Sequence, residues 1–122
     1  MTRLNKPYEA DIRREFFKYI FLKEKTDARY SRIWGNFNEG KRTLRGGFQA
    51  KLSGLRAGVP DVTIAIPAGR YPGGFIEIKR PGGKLSKDQY RVLKGLLHAG
   101  YWVLVADNVK DLIDGLEKYL RS

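Results

Sequence analysis

Two segments of the sequence carry charged residues at a spacing that could support chemistry. Asp61 directly follows Pro60, whose ring fixes φ and holds the chain rigid at this point. Glu77 and Lys79 lie two residues apart in an apolar run that begins at Phe75 and has the composition of a β-strand. Because strand side chains alternate between faces, Phe75, Glu77 and Lys79 should share one face. If the two segments are neighbouring strands, two carboxylates and a lysine occupy one small volume.

Such a group is suited to metal-dependent phosphodiester hydrolysis. Adjacent carboxylates repel each other unless a proton or cation lies between them. Mg²⁺ prefers carboxylate, carbonyl and water oxygens, and it can acidify a water and neutralise phosphodiester charge. Lys79 would then be a point charge beside the scissile phosphate. The alternative is structural, with Asp61 as a turn residue after proline and Glu77 and Lys79 as an ion pair on an exposed edge strand.

Two further residues could belong to the same site. Glu9 lies three residues before Ile12, on the inward face at the start of a predicted helix, where a carboxylate also stabilises the helix dipole. Gln89 is the third residue of a capping box that begins at Ser86, and it precedes Leu93 by four residues. A capping role and a role in the site therefore remain open for both residues.

The elements that must position these residues follow from periodicity and from turn signals. The pattern predicts helices over residues 7–24, from Ser86 to Gly100 and after Asn108, and strands over 30–34, 62–66, 75–79 and 101–106. In the helix after Ser86, one apolar side is expected to contain Tyr90, Leu93, Leu96 and Leu97. The order predicts an α/β fold, a small mixed β-sheet flanked by helices, as one domain over residues 1–122.

The charge balance narrows the class of partner. The 122 residues include 24 Lys+Arg and 13 Asp+Glu, a formal net charge of +11, which attracts phosphates on nucleic acid or on an acidic membrane. The apolar cluster at residues 16–22 is too short for a membrane span, so no membrane role is expected. The absence of cysteine excludes disulfides and thiolate metal sites and fits a cytoplasmic location.

Basic residues and aromatic rings offer candidate DNA contacts. The segment from Gly40 to Gly58 contains no acidic residue, and it could be a solvated surface or a loop along phosphates, with a possible helical turn at 48–52. The predicted DNA-binding residues are Lys41, Arg42, Arg45, Lys51, Arg56, Arg80 and Lys84. The aromatic residues that could stack on bases, or equally pack in the core, are Trp34, Phe48, Tyr71 and Tyr90.

At the level of motifs, the sequence resembles a nuclease family. Gly58-Val59-Pro60-Asp61 followed by Glu77-Ile78-Lys79 resembles the PD-(D/E)XK nuclease signature. The wider text resembles the VRR-NUC branch of that superfamily, through Gly54–Asp61, Phe75–Lys79, Gly83–Gln89 and Ala99–Tyr101. The resemblance implies a restriction-endonuclease-like core with the order αβββαβ and a further C-terminal helix.

The resemblance also implies roles for individual residues. Asp61, Glu77 and the carbonyl of Ile78 would hold Mg²⁺, for which Mn²⁺ could substitute. Lys79 would be the catalytic lysine, with Glu9 and Gln89 assisting. The sequence departs from related exonucleases, since Leu93 stands where their Gln-x-x-x-Tyr motif has tyrosine. Residues 35–53 have no clear counterpart, which leaves substrate choice open there.

The same resemblance suggests a substrate. Members that consist of this domain alone look like small phage-type enzymes that form homodimers and cut branched DNA, including four-way junctions. Members within larger repair proteins act on flaps. The chain length favours a homodimeric Holliday-junction resolvase that acts in the cytoplasm. If the gene belongs to a phage, this is the cytoplasm of the host cell. The alternatives are a flap or nicking endonuclease and a DNA-binding module without catalysis.

Overall fold

The computed structural model describes residues 8–36 and 52–122. Its helices are α1 (Glu9–Glu24), a short 3₁₀ helix (Ala28–Arg32), α2 (Lys87–His98) and α3 (Val109–Leu120). Its strands are β1 (Ile33–Gly35), β2 (Val62–Ile64), β3 (Gly74–Ile78) and β4 (Trp102–Ala106). The α/β class and the predicted order of the elements are confirmed.

The four strands form one mixed sheet in the order β1-β2-β3-β4. β1, β2 and β3 are antiparallel neighbours, and β4 runs parallel to β3. The parallel pair requires a crossover connection, which α2 provides. Asp61 immediately precedes β2, and Glu77 lies within β3, so the predicted proximity of their two segments follows from the β2–β3 pairing, in which Val62 is opposite Ile76.

The main core lies between one face of the sheet and the helices α1 and α3. Its buried members include Ile12, Phe16 and Ile20 of α1, Val62, Ile64, Ile76 and Ile78 of the sheet, and Leu112, Leu116 and Tyr119 of α3. This is the periodicity that the sequence predicted for both helices. Because Ile76 and Ile78 face this core, alternation along β3 turns Glu77 toward the opposite face.

On that opposite face, α2 places Gln89 against Glu77. The helix begins with the predicted capping box, in which the Ser86 hydroxyl accepts a hydrogen bond from the Gln89 main-chain N–H at 3.1 Å. The helix ends where Gly100 adopts a φ of 97°. The expected apolar side of α2 is wrong in part, since Leu93 is buried whereas Tyr90 and Leu97 are exposed. α2 thus covers less of this face than the predicted four-residue stripe would.

Other boundaries also differ from the sequence prediction. The strand expected over 30–34 begins only at Ile33, since the Asp27 side chain accepts a hydrogen bond from the Arg29 N–H and caps a 3₁₀ helix in front of it. β2 ends at Ile64 rather than at residue 66. The possible helical turn at 48–52 falls almost wholly outside the described residues. Within the described part of the chain, no helix is long and apolar enough to cross a membrane.

Gly58 allows the loop before β2 to approach the start of α2. It has a φ of 85°, and a Cβ built there would lie 2.5 Å from the main-chain carbonyl carbon of Asp88. Gly54 provides a natural comparison, since it has a φ of 90° but no atom within 4 Å of the corresponding Cβ position. The close contact at Gly58 therefore fixes the distance between the Asp61 loop and the residue next to Gln89.

The carboxylate of Glu117, near the C-terminal end of α3, joins three elements. Glu117 Oε2 accepts hydrogen bonds from the hydroxyls of Tyr19, at 2.5 Å, and Tyr30, at 2.6 Å. Burial alone would raise the pKa of Glu117, but these two hydrogen bonds hold it below its ordinary value. Burial and Glu117 in turn raise the pKa of Tyr19 to about 12. The cluster fastens α1 and the 3₁₀ helix to α3.

We expect Gly58→Ala to destabilise the protein more than Gly54→Ala does. Both substitutions place alanine at a positive φ, but only the first also pushes against the backbone of α2. The difference in the free energy of unfolding should be about 1–3 kcal/mol, measured by urea denaturation of the two variants. Equal losses would contradict the close approach at Gly58.

We expect Glu117→Gln to lower the free energy of unfolding at pH 7 by about 1–3 kcal/mol, because two hydrogen bonds lose their charged acceptor. A carboxyl with a lowered folded pKa stabilises the protein above its unfolded pKa and loses that contribution as pH falls through the folded value. The gap between wild type and variant should therefore close in acid. Asp88→Asn, which breaks the exposed pair with Arg91, is the control and should cost little.

Candidate functional site

The structure brings Asp61, Glu77, Lys79, Gln89 and Glu9 together at the end of β3. Asp61 Oδ2 accepts a hydrogen bond from the main-chain N–H of Ile78 at 2.8 Å, which fixes its carboxylate beside the end of that strand. The Lys79 main-chain N–H donates a hydrogen bond to the Ala106 carbonyl at 2.9 Å and holds the end of β3 against β4. The site is therefore anchored on both sides by the backbone of the sheet.

The Glu77 carboxylate, on the face of β3 that α2 partly covers, is buried. Glu77 is 1% exposed, and its Oε2 accepts a hydrogen bond from Gln89 Nε2 at 2.9 Å. The Lys79 ammonium lies 3.9 Å from the same oxygen. Oε1 is buried and has no hydrogen-bond partner among the described residues. A buried acceptor without a donor is costly, so this oxygen is a position where a cation or a proton would be favoured.

Lys79 occupies the centre of the polar group. Its side chain is 12% exposed, and its Nζ lies 3.2 Å from Gln89 Oε1 and 3.7 Å from Glu9 Oε2. Glu9 lies in the first turn of α1 and also contacts the lysine, so its position is compatible with either role that the sequence left open. One hydrogen bond and two ion pairs therefore direct the Lys79 ammonium into the site.

Gln89 closes the predicted capping box and also contacts two other candidate site residues. Its Oε1 accepts a hydrogen bond from the Ser86 main-chain N–H at 2.9 Å, which closes the capping box, and receives Lys79 Nζ as well. Its Nε2 donates to Glu77. Because the Gln89 amide is fixed at the start of α2, the position of this helix end determines where the amide contacts the Glu77 carboxylate and the Lys79 ammonium.

Electrostatics favour neutralisation of the two carboxylates. Burial, and then repulsion from Asp61, raises the pKa of Glu77. Burial also raises the pKa of Asp61, and the Ile78 N–H, Lys79 and Arg13 act in the opposite direction. Lys79 supplies one positive charge to two carboxylates, with Glu9 as a third nearby. The local excess of negative charge would attract a cation.

The oxygens present fit a hard divalent cation. Within residues 8–36 and 52–122, no group of three or more His, Cys, Asp or Glu side chains is placed to hold a metal ion. Two carboxylates of the described residues, those of Asp61 and Glu77, lie near the end of β3. Hard divalent cations are commonly bound by one or two carboxylates and keep several waters. The unpartnered Glu77 Oε1 is the observation that favours such an ion.

The predicted DNA-binding residues are only partly described. Arg56, Arg80 and Lys84 are exposed, and Arg80 follows Lys79 directly in the chain, beside the site. Lys41, Arg42, Arg45, Lys51 and the aromatic Phe48 lie outside the described residues. Trp34 and Tyr90 are exposed as a stacking role requires, whereas Tyr71 packs against Tyr119 with ring centroids 6.1 Å apart.

Two residues near the site were missed by the sequence analysis. Arg13 is close enough to act on the charge of Asp61. Its position four residues after Glu9 was an available signal, since such residues share a helix face. Asn36 donates its main-chain N–H to the Asp61 carbonyl at 2.7 Å. No local pattern indicates this contact, because it depends on a pairing between residues 25 positions apart in the chain.

Comparisons with known proteins agree with this geometry. A solved structure described as a "VRR_NUC domain protein" superposes with a TM-score of 0.66 at 24% sequence identity, covering 87% of this chain and 85% of that chain, which shows a shared fold. No curated protein matches the sequence significantly. The family model of the VRR-NUC domain matches residues 8–110, a span that contains every residue of the site. The chain therefore belongs to the VRR-NUC domain family, whose members are nucleases of the PD-(D/E)XK type.

Proposed function

We propose that the protein is a metal-dependent, structure-selective DNA endonuclease. The observation that carries the proposal is the buried Glu77 carboxylate beside Asp61 and Lys79. Gln89 holds one of its oxygens, and the other has no hydrogen-bond partner within residues 8–36 and 52–122. A fold alone does not require a buried carboxylate in its central strand, and such a group costs stability. Its retention is accounted for if the carboxylate binds a cation that takes part in a reaction.

The proposed residues would have distinct roles in hydrolysis. Asp61, Glu77 and the Ile78 carbonyl would hold Mg²⁺ or Mn²⁺, which supplies charge neutralisation on the phosphodiester and acidifies a water. Lys79 would orient the attacking water or stabilise phosphate charge, with Gln89 and Glu9 fixing its ammonium. The water oxygen would bond to phosphorus and release one proton to solvent, while the bond to the leaving oxygen breaks and that oxygen takes up a proton from solvent.

For the substrate, we propose branched DNA, with the four-way junction cut by a homodimer. The net charge of +11 and the exposed Arg80 and Lys84 near the site support binding to several phosphates, which positions DNA without reading its sequence. Two paired incisions in a symmetric junction suit two sites related by a twofold axis.

The metal proposal can be tested without an activity assay. In EDTA and above the raised folded pKa of Glu77, Glu77→Gln should raise the free energy of unfolding by about 1–3 kcal/mol, because a buried carboxylate is replaced by a neutral group of the same shape while Lys79 keeps its contacts with Gln89 and Glu9. Since burial raises the pKa of Glu77, its destabilising effect is absent below the unfolded pKa and grows as pH rises through the folded value. The difference in the free energy of unfolding between Glu77→Gln and wild type should therefore grow with pH.

Millimolar Mg²⁺ or Mn²⁺ should raise the Tm of the wild type, because an ion that binds only the folded state stabilises it. Glu77→Gln should show a much smaller rise. Glu9→Gln, which removes an exposed carboxylate that contacts Lys79, is the control and should keep most of the rise. An equal increase in wild type and Glu77→Gln would place the ion elsewhere.

Cleavage is tested with labelled linear, flap and four-way-junction DNA in Mg²⁺, Mn²⁺ or EDTA. We expect metal-dependent paired cuts in the junction, reduced about 10²–10⁴-fold in Lys79→Ala, because a positioned proton-transfer or charge-stabilising group is lost. Lys110→Ala is the matched control, since that exposed lysine pairs only with Asp114 on α3.

The pattern of cuts separates the alternatives. Single cuts confined to flaps would identify a flap endonuclease and reject the junction proposal. Binding without any cleavage would reject the enzyme and leave a DNA-binding module. Size-exclusion chromatography of the protein with and without DNA tests the proposed homodimer. A monomer at every protein concentration would contradict it.

A further inference from the structure

Helix α2 carries a row of basic side chains that the candidate site does not use. Its members are exposed and form the α2 stripe: Lys87, Arg91, Lys94 and His98. Their spacings of four, three and four residues place them on one side of the helix. The side chains of Gln89 and Leu93 lie on the opposite side, where Gln89 contacts Glu77 and Leu93 is buried. The α2 stripe therefore faces away from the sheet.

Two lysines of the α2 stripe carry charge that no nearby acidic group offsets. Asp88 is the only acidic residue of α2, and its carboxylate pairs with Arg91 at 2.8 Å. Lys87 and Lys94 form no ion pair with any residue that the structure describes. Because such ammonium groups are hydrated and hold only mobile counterions, they can bind phosphates without first breaking a contact within the protein.

The α2 stripe begins next to the candidate site. Lys87 precedes Gln89 by two residues, and Gln89 contacts the carboxylate and the lysine of the site. The loop between β3 and α2 contains the exposed Arg80 and Lys84 on either side of a turn, in which the Gly83 N–H donates to the Arg80 carbonyl at 2.8 Å. Exposed positive charge is thus continuous from the end of β3 onto α2.

The length of the α2 stripe matches a stretch of DNA backbone. At 1.5 Å per residue, Lys94 lies about 10 Å and His98 about 16 Å beyond Lys87 along the helix axis. Each strand of a B-DNA duplex carries one phosphate per 3.4 Å of its axis, so the α2 stripe spans about three to five phosphates. A straight row of cations of this length suits the regular backbone of a duplex.

Other polyanions fit this helix less well. Tyr90 is an exposed ring of α2, and Lys94 Nζ lies 6.0 Å from its centroid. One ring provides no series of platforms on which the successive bases of a single strand could stack. An anionic membrane would require the apolar side of α2 to be free for insertion, but that side packs toward the sheet through the buried Leu93.

We propose that the α2 stripe binds the phosphate backbone of a duplex arm of the DNA substrate where this arm leaves the site. The inference rests on the proposed nuclease function and extends it by naming the surface that holds the substrate outside the reacting strand. Contacts to phosphates fix the orientation of DNA without reading its sequence. The stripe therefore sets the direction of one arm relative to the scissile phosphate.

The test measures the salt dependence of binding in EDTA, so that no cleavage intervenes. A short labelled duplex and a single strand of equal length are titrated by fluorescence anisotropy at several salt concentrations. The double variant Lys87→Gln/Lys94→Gln should bind the duplex more weakly, and the slope of log K against log salt should fall by about 2. Its effect on the single strand should be smaller, because a flexible strand does not follow the straight row.

A second double variant, Lys18→Gln/Lys110→Gln, is the matched control. It removes the same amount of positive charge from the exposed sides of α1 and α3, where Lys18 pairs with Glu15 at 3.6 Å and Lys110 pairs with Asp114 at 2.6 Å. Because these lysines lie outside the proposed path of the duplex, the slope should stay close to that of wild type.

A fluorophore can report the position of the duplex directly, since the chain contains no cysteine. Gly95 lies beside the α2 stripe, and a Cβ built there meets no atom within 4 Å. An environment-sensitive dye on Gly95→Cys should change its emission when the duplex binds. The same dye on Ser31→Cys, at an exposed position of the 3₁₀ helix, should not respond.

Three results would overturn the inference. They are equal changes of the salt slope in the two double variants, an equal loss of duplex and single-strand binding in Lys87→Gln/Lys94→Gln, and a dye at residue 95 that does not respond to the duplex. Binding of phosphatidylserine vesicles that depends on the stripe, without such dependence for the duplex, would also overturn it.

Failure of the proposed function gives a different result. Metal-dependent cleavage of junction DNA by wild type, combined with equal salt slopes of the two double variants, would reject the α2 stripe and keep the nuclease. Stripe-dependent binding of the duplex without cleavage in Mg²⁺ or Mn²⁺ would reject the nuclease and keep the α2 stripe as a duplex-binding surface.

Discussion

The burial of one carboxylate in the central strand is the constraint on which the rest of the site depends. Glu77 is placed there because β3 has its even-numbered isoleucines in the core and must turn the residue between them to the other face. A charge in that position requires compensation, and Gln89 and Lys79 supply part of it. Among residues 8–36 and 52–122, no group donates to its other oxygen, so part of the compensation is missing from the described part of the chain. Site and fold are thus coupled through a single side chain.

The groups that compensate the buried charge of Glu77 come from elements that are distant from one another in the sequence. Gln89 is fixed by the capping box of α2, Glu9 by the first turn of α1, and Asp61 by the N–H of Ile78. Each of these anchors is a terminus or an edge, where backbone groups lack partners within their own element. The same groups that end a helix or strand therefore position the polar side chains, and Gly58 sets how closely two of these segments approach.

The sequence predicted those parts of the fold that depend on local patterns. The stripes of α1 and α3, the capping box at Ser86 and the stop at Gly100 are properties of a few adjacent residues, and the structure has them all. Alternation also predicted that Glu77 and Lys79 share a face. The start of β1 was wrong because the Asp27 cap favours a 3₁₀ turn, and the contacts of Arg13 and Asn36 could not be predicted because they arise only when α1 and β1 pack beside β2.

The position of α1 is constrained twice. The helix must lie close enough to the sheet for Ile12, Phe16 and Ile20 to be buried, yet its first turn must also reach Lys79 beyond the end of β3. Because one helix meets both requirements, the packing of its apolar stripe sets where the Glu9 carboxylate lies relative to the lysine. A change that shifts α1 in the core would therefore also alter the polar contacts of Lys79, so the packing of the fold and the geometry of the candidate site depend on the same helix.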